Sequence, residues 1–323
     1  MRTWICLALL LALTGLAFAQ AKVFRPRTLL GGEYWGTQPE PGYLDYLAAV
    51  KPDLIHGAVV GPELLGSVYG KGALKGITPV YPPQVSTVKA YLAFWRGFNA
   101  DAHKLGVKVQ ATTSMNLVWG DRAKNTGFFK YYHDLWETDL FGAKPAPTPE
   151  ALLQVDVNGE VLSEPYGEWR QYHGCPNNPR WRQLLKQLAK PCIAAGFDGF
   201  MVQFPYYDGR CCCASCRQKF HDFIAARYGQ AEADALPAFT GAANAPAKYA
   251  LAAREFSAIS VKDCFDEVFV QYGRGVKPAL ILSMWTHFRN FLGEDATNAT
   301  FDGYLDERTL LPIARWGAGE NYL

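Results

Sequence analysis

Four of the eight cysteines in this chain are spaced to hold a metal ion. Cys211-Cys212-Cys213-Ala214-Ser215-Cys216 carries a C-x-C-x-x-C pattern, and it opens a stretch in which Cys216, Phe220, Phe223, Ile224 and Tyr228 share one helical face. A turn that runs into a first helical turn brings three such sulfurs to one side, as a tetrahedral ion requires. A fourth ligand closes the shell. Cys175, in His173-Gly174-Cys175-Pro176-Asn177-Asn178, is the candidate, because it precedes the helix that leads into the strand before the triplet. Four thiolates leave no open coordination position, so the ion, read as zinc, is expected to be structural rather than catalytic. Disulfide bonding is the alternative, and export would favour it. Seven cysteines lie beyond the N-terminal apolar run, and an odd number cannot all pair within one chain. Cys192 and Cys264 sit in apolar helical contexts and read as buried bystanders, while Cys212 is expected to point away from the ion.

The residues from His173-Gly174-Cys175-Pro176-Asn177-Asn178-Pro179-Arg180-Trp181-Arg182 to the cysteine cluster, then Phe220 and Arg227-Tyr228-Gly229, resemble glycoside hydrolase family 42. That family comprises β-galactosidases and related barrel enzymes. The resemblance implies a (β/α)8 barrel, hydrolysis of glycosidic bonds, and Cys175, Cys211, Cys213 and Cys216 as zinc ligands after barrel strand four. It covers residues 173–229; elsewhere only the strand–helix rhythm agrees. Asp198-Gly199 is similar to a pair in other glycosidase-like barrel proteins. The departure lies at the end of strand four, where the family places its general acid in an Asn-Glu pair. Here the sequence reads Gln203-Phe204-Pro205-Tyr206, with no carboxylate. The family nucleophile follows strand seven, so the catalytic residues do not carry over.

A retaining glycosidase needs two carboxyl groups about 5–5.5 Å apart, and barrel enzymes take them from the C-terminal ends of strands. Asp208 follows strand four and is expected to act as general acid if burial raises its pKa; the alternative is a turn residue in Asp208-Gly209. Glu320, in Trp316-Gly317-Ala318-Gly319-Glu320-Asn321-Tyr322, would end a sixth strand and supply the second carboxylate. Glu33 and Trp35 end the first strand, where Glu33 either binds a hydroxyl or is structural. Asn116, Trp119, His173, Gln203, Tyr206, Trp285 and His287 are the polar donors and aromatic platforms expected at a sugar-binding mouth, although each has a packing or surface role as its alternative. His56 lies inside an apolar strand and reads as a satisfied core histidine. Asp198 starts strand four, at the wrong face for catalysis, and is expected to hold backbone or a neighbouring helix. No glycine-rich phosphate loop, H-E-x-x-H or G-x-S-x-G pattern occurs.

The elements that must position these residues alternate. Strands are expected at 29–35, 54–60, 107–112, 199–204 and 279–285, with a sixth near 313–316. Helices are expected at 43–50, from Val88 to Leu105, from Asn178-Pro179 onward, at 214–228 and at 247–272. Between the third strand and the Asn178 helix lies a long excursion whose Asn158-Gly159 turn predicts a small hairpin. Residues 231–246 read as a surface connection interrupted by Pro237, Gly241 and Pro246. Apolar strands separated by amphipathic helices indicate a parallel sheet covered by helices. A (β/α)8 barrel is the first reading and a doubly wound sheet the second. Five or six units fit before Leu323, so a barrel is incomplete here, has strands not recognised, or belongs to a longer protein.

Composition sets the frame. The 323 residues are 49% hydrophobic and 19% charged, which excludes a disordered chain or a coiled coil. Lysine plus arginine is 32 and aspartate plus glutamate 30, a balance that gives no reason to expect nucleic acid or an anionic membrane surface as partner. A carbohydrate is the expected partner. Met1-Arg2, the apolar run from Trp4 to Phe18 and the Ala17-Phe18-Ala19 ending predict a signal peptide cleaved after Ala19 and an exported protein; an uncleaved anchor is the alternative.

Overall fold

The computed structural model describes residues 27–30, 38–66, 87–166, 169–203 and 207–284. The expected signal segment, the sixth strand, and Glu33, Trp35, Tyr206, Trp285, His287 and Glu320 lie outside the described residues. In chain order the strands are β1 (Leu29–Leu30), β2 (Leu54–Val60), β3 (Lys108–Ser114), β4 (Leu117–Asp121), β5 (Thr126–Gly127), β6 (Ser163–Tyr166), β7 (Trp169–His173), β8 (Gly199–Gln203) and β9 (Ile281–Met284). The main helices are α1 (Tyr43–Val50), α2 (Val88–Lys104), α3 (Phe128–Asp134), α4 (Pro179–Ala194), α5 (Ala214–Tyr228) and α6 (Ala250–Phe265).

Five strands form a parallel sheet in the order β1-β2-β3-β8-β9. Each new strand joins the side where the last one lay. A doubly wound sheet reverses direction at a switch point, and no reversal occurs among these five. The sheet is open over the described residues, so its architecture is mixed α/β with a sequentially wound parallel sheet.

Local sequence explains the covering helices. Thr87 caps α2 by accepting from the Ala90 N–H at 3.0 Å. Val88, Tyr91, Leu92, Trp95, Phe98 and Ala102 then form the buried face of that helix. Trp95 reaches the sheet at Gly57, where a Cβ would lie 2.9 Å from Val109 Cγ1 and 3.2 Å from the indole. Asn178 caps α4 through the Arg180 N–H, with Pro179 in the first turn. Ile55, Val109, Ala111, Phe200, Val202 and Leu282 belong to the core on this face.

The alternate positions of the same strands are also buried and carry five polar residues, His56, Gln110, Thr112, Gln203 and Ser283, beside apolar Leu54, Met201 and Ile281. Gln110 ties three strands together. Its Nε2 donates to Phe200 O (3.0 Å) and Ile281 O (3.3 Å), and its Oε1 accepts from Ser283 Oγ at 3.1 Å. Asp198 enters β8 as a structural anchor. It accepts from the Val109 N–H at 3.0 Å and pairs with His103 (2.7 Å), Lys277 (3.2 Å) and Lys108 (3.5 Å).

Two expectations need correction. The excursion after β3 is more than a hairpin: β4, β5, β6 and β7 make an antiparallel sheet in the order β5-β4-β7-β6. β4 begins three residues after β3 ends, so two strands that belong to different sheets follow one another with only Met115 and Asn116 between them. The small hairpin is present as a Val155–Val161 bridge, with the Asp156 side chain accepting from the Asn158 and Glu160 N–H groups. The long helix expected at 247–272 is a 3-10 turn, then α6, then a π-helical stretch Asp266–Gly273. No helix among the described residues is long and apolar enough to cross a membrane.

Candidate metal centre and strand-end site

Chain geometry brings Cys175 to the triplet. β7 ends at His173, and the next two amides are fixed: Gly174 N–H donates to Asn116 O at 2.7 Å and Cys175 N–H to Leu152 O at 3.2 Å. Glycine is required at 174 because a Cβ there would sit 1.9 Å from the Trp181 ring. Trp181 in turn donates from Nε1 to Met115 O at 3.0 Å, which locks the start of α4 onto the end of β3. On the other side, the segment after β8 is tied to the excursion by Cys212 N–H donating to Val155 O at 2.7 Å, and α5 begins just past Cys213.

The Sγ atoms of Cys175, Cys211, Cys213 and Cys216 lie within 4.8 Å of one another. Cys175 Sγ is 3.3 Å from Cys216 Sγ and 3.7 Å from Cys213 Sγ. A tetrahedral ion with metal–sulfur bonds of about 2.3 Å has sulfur–sulfur edges of about 3.8 Å, so these four residues fit one ion. None of the seven described cysteines forms a disulfide. Burial and the neighbouring thiols push the Cys175 thiol well above its ordinary range, while hydrogen bonds from its three neighbours hold Cys213 below it. Four sulfurs at this spacing, three of them buried and Cys213 half-buried, can all carry charge only around a cation.

Two residues missed in the sequence complete the shell. Buried Tyr207 donates its O–H to Cys216 Sγ at 2.9 Å, and burial keeps that phenol protonated. Asn177 Nδ2 lies 3.5 Å from the same sulfur and donates to Ser260 Oγ at 3.0 Å, linking the centre to α6. Cys212 Sγ contacts Arg210 O at 3.4 Å and stands outside the four.

Asn116, Trp119 and Gln203 are buried, and His173 half-buried, near the ends of β3, β4, β7 and β8. Leu117 pairs with His173, Trp119 with Gln171, and Met115 N–H donates to Gln203 O at 3.0 Å, so the structure gathers these expected mouth residues. Gln203 Nε2 and Thr112 Oγ1 are buried with no hydrogen-bond partner among the described residues. Burial lowers the His173 pKa. Asp208 is buried at 5% exposure, and its carboxylate accepts from the Arg210 backbone N–H and from Arg210 Nε. The same guanidinium reaches Glu164 at 2.8 Å, so Arg210, held by Asp208, ties the cysteine loop to β6.

One carboxyl group was not singled out in the sequence. Glu63 stands three residues past β2, in the short helical turn Pro62–Leu65, at 3% exposure. It is hydrogen-bonded to the Trp119 side chain, and burial pushes its carboxyl up to about 8. Gly61 makes the turn with φ +79°, packed against Thr113 at the end of β3. The available signal was a Gly-Pro-Glu triplet directly after an apolar strand, an acid among Leu64 and Leu65 where a surface turn would place polar neighbours.

No family model matches the sequence, and no curated protein matches it. Among solved structures, the GH42 β-galactosidase Gan42B is 13% identical, with 83% of this chain and 37% of that chain covered and a TM-score of 0.47. The α-galactosidase TtGalA from Thermus thermophilus is 11% identical, with 81% and 38% covered and a TM-score of 0.40. A GH31 family sulfoquinovosidase from E. rectale is 14% identical, with 80% and 30% covered and a TM-score of 0.43. This chain spans about a third of the length of these structures.

Proposed function

We propose that this chain is the barrel portion of an exported glycoside hydrolase, with a structural zinc ion held by Cys175, Cys211, Cys213 and Cys216. The observation that carries the reading is the approach of Cys175 to Cys213 and Cys216. It makes one folded unit of residues 173–229, the segment whose sequence resembles family 42. The sequential strand order supports a (β/α)8 barrel, because each strand–helix unit adds to the same side.

In this reading the ion pins the loop after β8 and takes no part in the chemistry. Glu63 is the proton donor. Its buried carboxyl keeps its proton at neutral pH and can pass it to a glycosidic oxygen as the bond to the anomeric carbon breaks. The reaction also needs a second carboxylate to stabilise or capture the oxocarbenium-like centre, and Glu320, which lies outside the described residues, remains the assignment for it. Trp119, Asn116, His173 and Gln203 line the sugar site, with Glu33, Trp35, Tyr206, Trp285 and His287 as further contacts. Asp208 is assigned to anchoring the loop through Arg210.

Hydrolysis of a panel of nitrophenyl glycosides by the full chain tests this. Turnover by the parent that falls by about 10²–10⁴-fold in Glu63→Gln, least for the most activated leaving group, is the expected result. Turnover unchanged in Glu63→Gln removes that assignment. The second reading is a carbohydrate-binding protein without turnover, favoured by the absence of a carboxylate at 203–206 and by the engagement of Asp208 with Arg210. Glycan binding with no hydrolysis of any substrate would establish it instead.

A further inference from the structure

α5 also borders a groove that the strand-end site does not use. The groove holds about 630 Å³, and the loop after the helix forms its far wall. Its lining includes Arg217, Phe220, His221, Leu236, Phe239 and Asn244. Phe220 and Phe239 make an aromatic floor, with ring centroids 5.7 Å apart at 42°. The charges at the rim are unequal in their pairing. Asp234 Oδ1 is held by Gln230 Nε2 at 2.7 Å and by His221 Nε2 at 3.2 Å. His221 Nδ1 also stands 3.5 Å from Asp222. Arg217 is exposed and forms no salt bridge among the described residues.

We infer that this groove is a carbohydrate site distinct from the strand ends, and that it takes an oligosaccharide carrying a uronic acid. A sugar ring lies against Phe239, its carboxylate pairs with the Arg217 guanidinium, and its hydroxyls meet Asn244 and Thr240. The volume falls within the range of small-ligand pockets, about 300–1,000 Å³. Flat apolar faces beneath a polar rim suit a sugar, which is apolar on its ring faces and polar at its edges. Guanidinium recognises a carboxylate through two parallel hydrogen bonds, which gives the preference for an acidic sugar over a neutral one.

Calorimetric titration of the full chain at low salt, with trigalacturonate and with maltotriose, tests the inference independently of any hydrolysis. The acidic trimer is expected to bind about tenfold more tightly than the neutral one. Arg217→Gln, a change at an exposed side chain, is expected to erase that difference, and Phe239→Ala to weaken both ligands. Equal affinity for the two trimers, no binding of the acidic one, or acidic binding unchanged in Arg217→Gln would each overturn the assignment. Tighter binding of an oligoglutamate peptide of equal charge would also overturn it, because the site would then read charge without the sugar.

Discussion

Glu63 and His56 are both buried titratable groups on or just after β2, and they act on stability in opposite directions. Burial raises Glu63 from an ordinary 4.5 to about 8, so the native state keeps a proton that the unfolded chain releases. Its contribution is complete below about pH 4.5 and is lost as pH rises through about 8. Burial lowers His56 from 6.5 to about 4, so the unfolded chain binds a proton that the native state refuses. Its contribution is complete above pH 6.5 and falls away toward pH 4, by about 3 kcal/mol in all. Urea unfolding of Glu63→Gln is therefore expected to show less loss of stability between pH 5 and 8 than the parent. An unchanged slope would mean that Glu63 is ionised in the native state. At the metal centre, Tyr207→Phe deletes an O–H that donates to Cys216 and leaves the ring in place. It is expected to weaken metal affinity about 10-fold or more, measured by competition with a chromogenic chelator; an affinity equal to the parent's would show that the contact to sulfur does nothing for the ion.

At the scale of elements, closeness of approach decides where glycine is needed. Gly199 opens β8, and a Cβ there would lie 1.8 Å from the Ile281 carbonyl oxygen on β9. Backbone cannot give way as a flexible side chain can, so Gly199→Ala is expected to cost more than about 3 kcal/mol in chemical denaturation. A cost under about 1 kcal/mol would mean that β8 and β9 are not packed this closely. The elements that carry the sheet were legible in the sequence. β2 (Leu54–Val60), α1 (Tyr43–Val50) and α5 (Ala214–Tyr228) have the bounds their apolar periodicity predicts, and the Asn178-Pro179 start of α4 followed from capping chemistry alone. The antiparallel sheet was not legible. Its strands are five residues or shorter, and β4 follows β3 after only two residues, with no turn-forming Gly or Pro to mark the break. The cysteine spacing was readable because ligand geometry is local. Tyr207 and Asn177 were not, since a tyrosine beside a thiolate has the same sequence signature as a tyrosine in a core. Glu63 was hidden for a related reason: proton retention depends on burial by Trp119 and its surroundings, which no short window records.

For the whole molecule, two fixed points hold the sheet at its opposite ends. Asp198, with His103, Lys108 and Lys277, fastens the entry of β8. The four cysteines bring what leaves β8 against the end of β7 and the start of α4, where the proposed ion would fasten them. Although burial alone would raise the Asp198 carboxyl, its hydrogen bond from Val109 and its cationic partners lower it below the ordinary value. Its contribution is present above about pH 4 and is lost as pH falls through the depressed value. The proposed metal centre would join segments far apart in sequence, so removing its ion is expected to destabilise the whole chain rather than one loop. Thermal unfolding after dialysis against a strong chelator should show a lower Tm that zinc restores. X-ray absorption at the zinc edge, with elemental analysis of the full chain, tests the central claim most directly. One zinc per chain with four sulfur neighbours at about 2.3 Å is the expected result. A folded chain free of metal with Cys175 in a disulfide, or a zinc bound by nitrogen and oxygen, would contradict it.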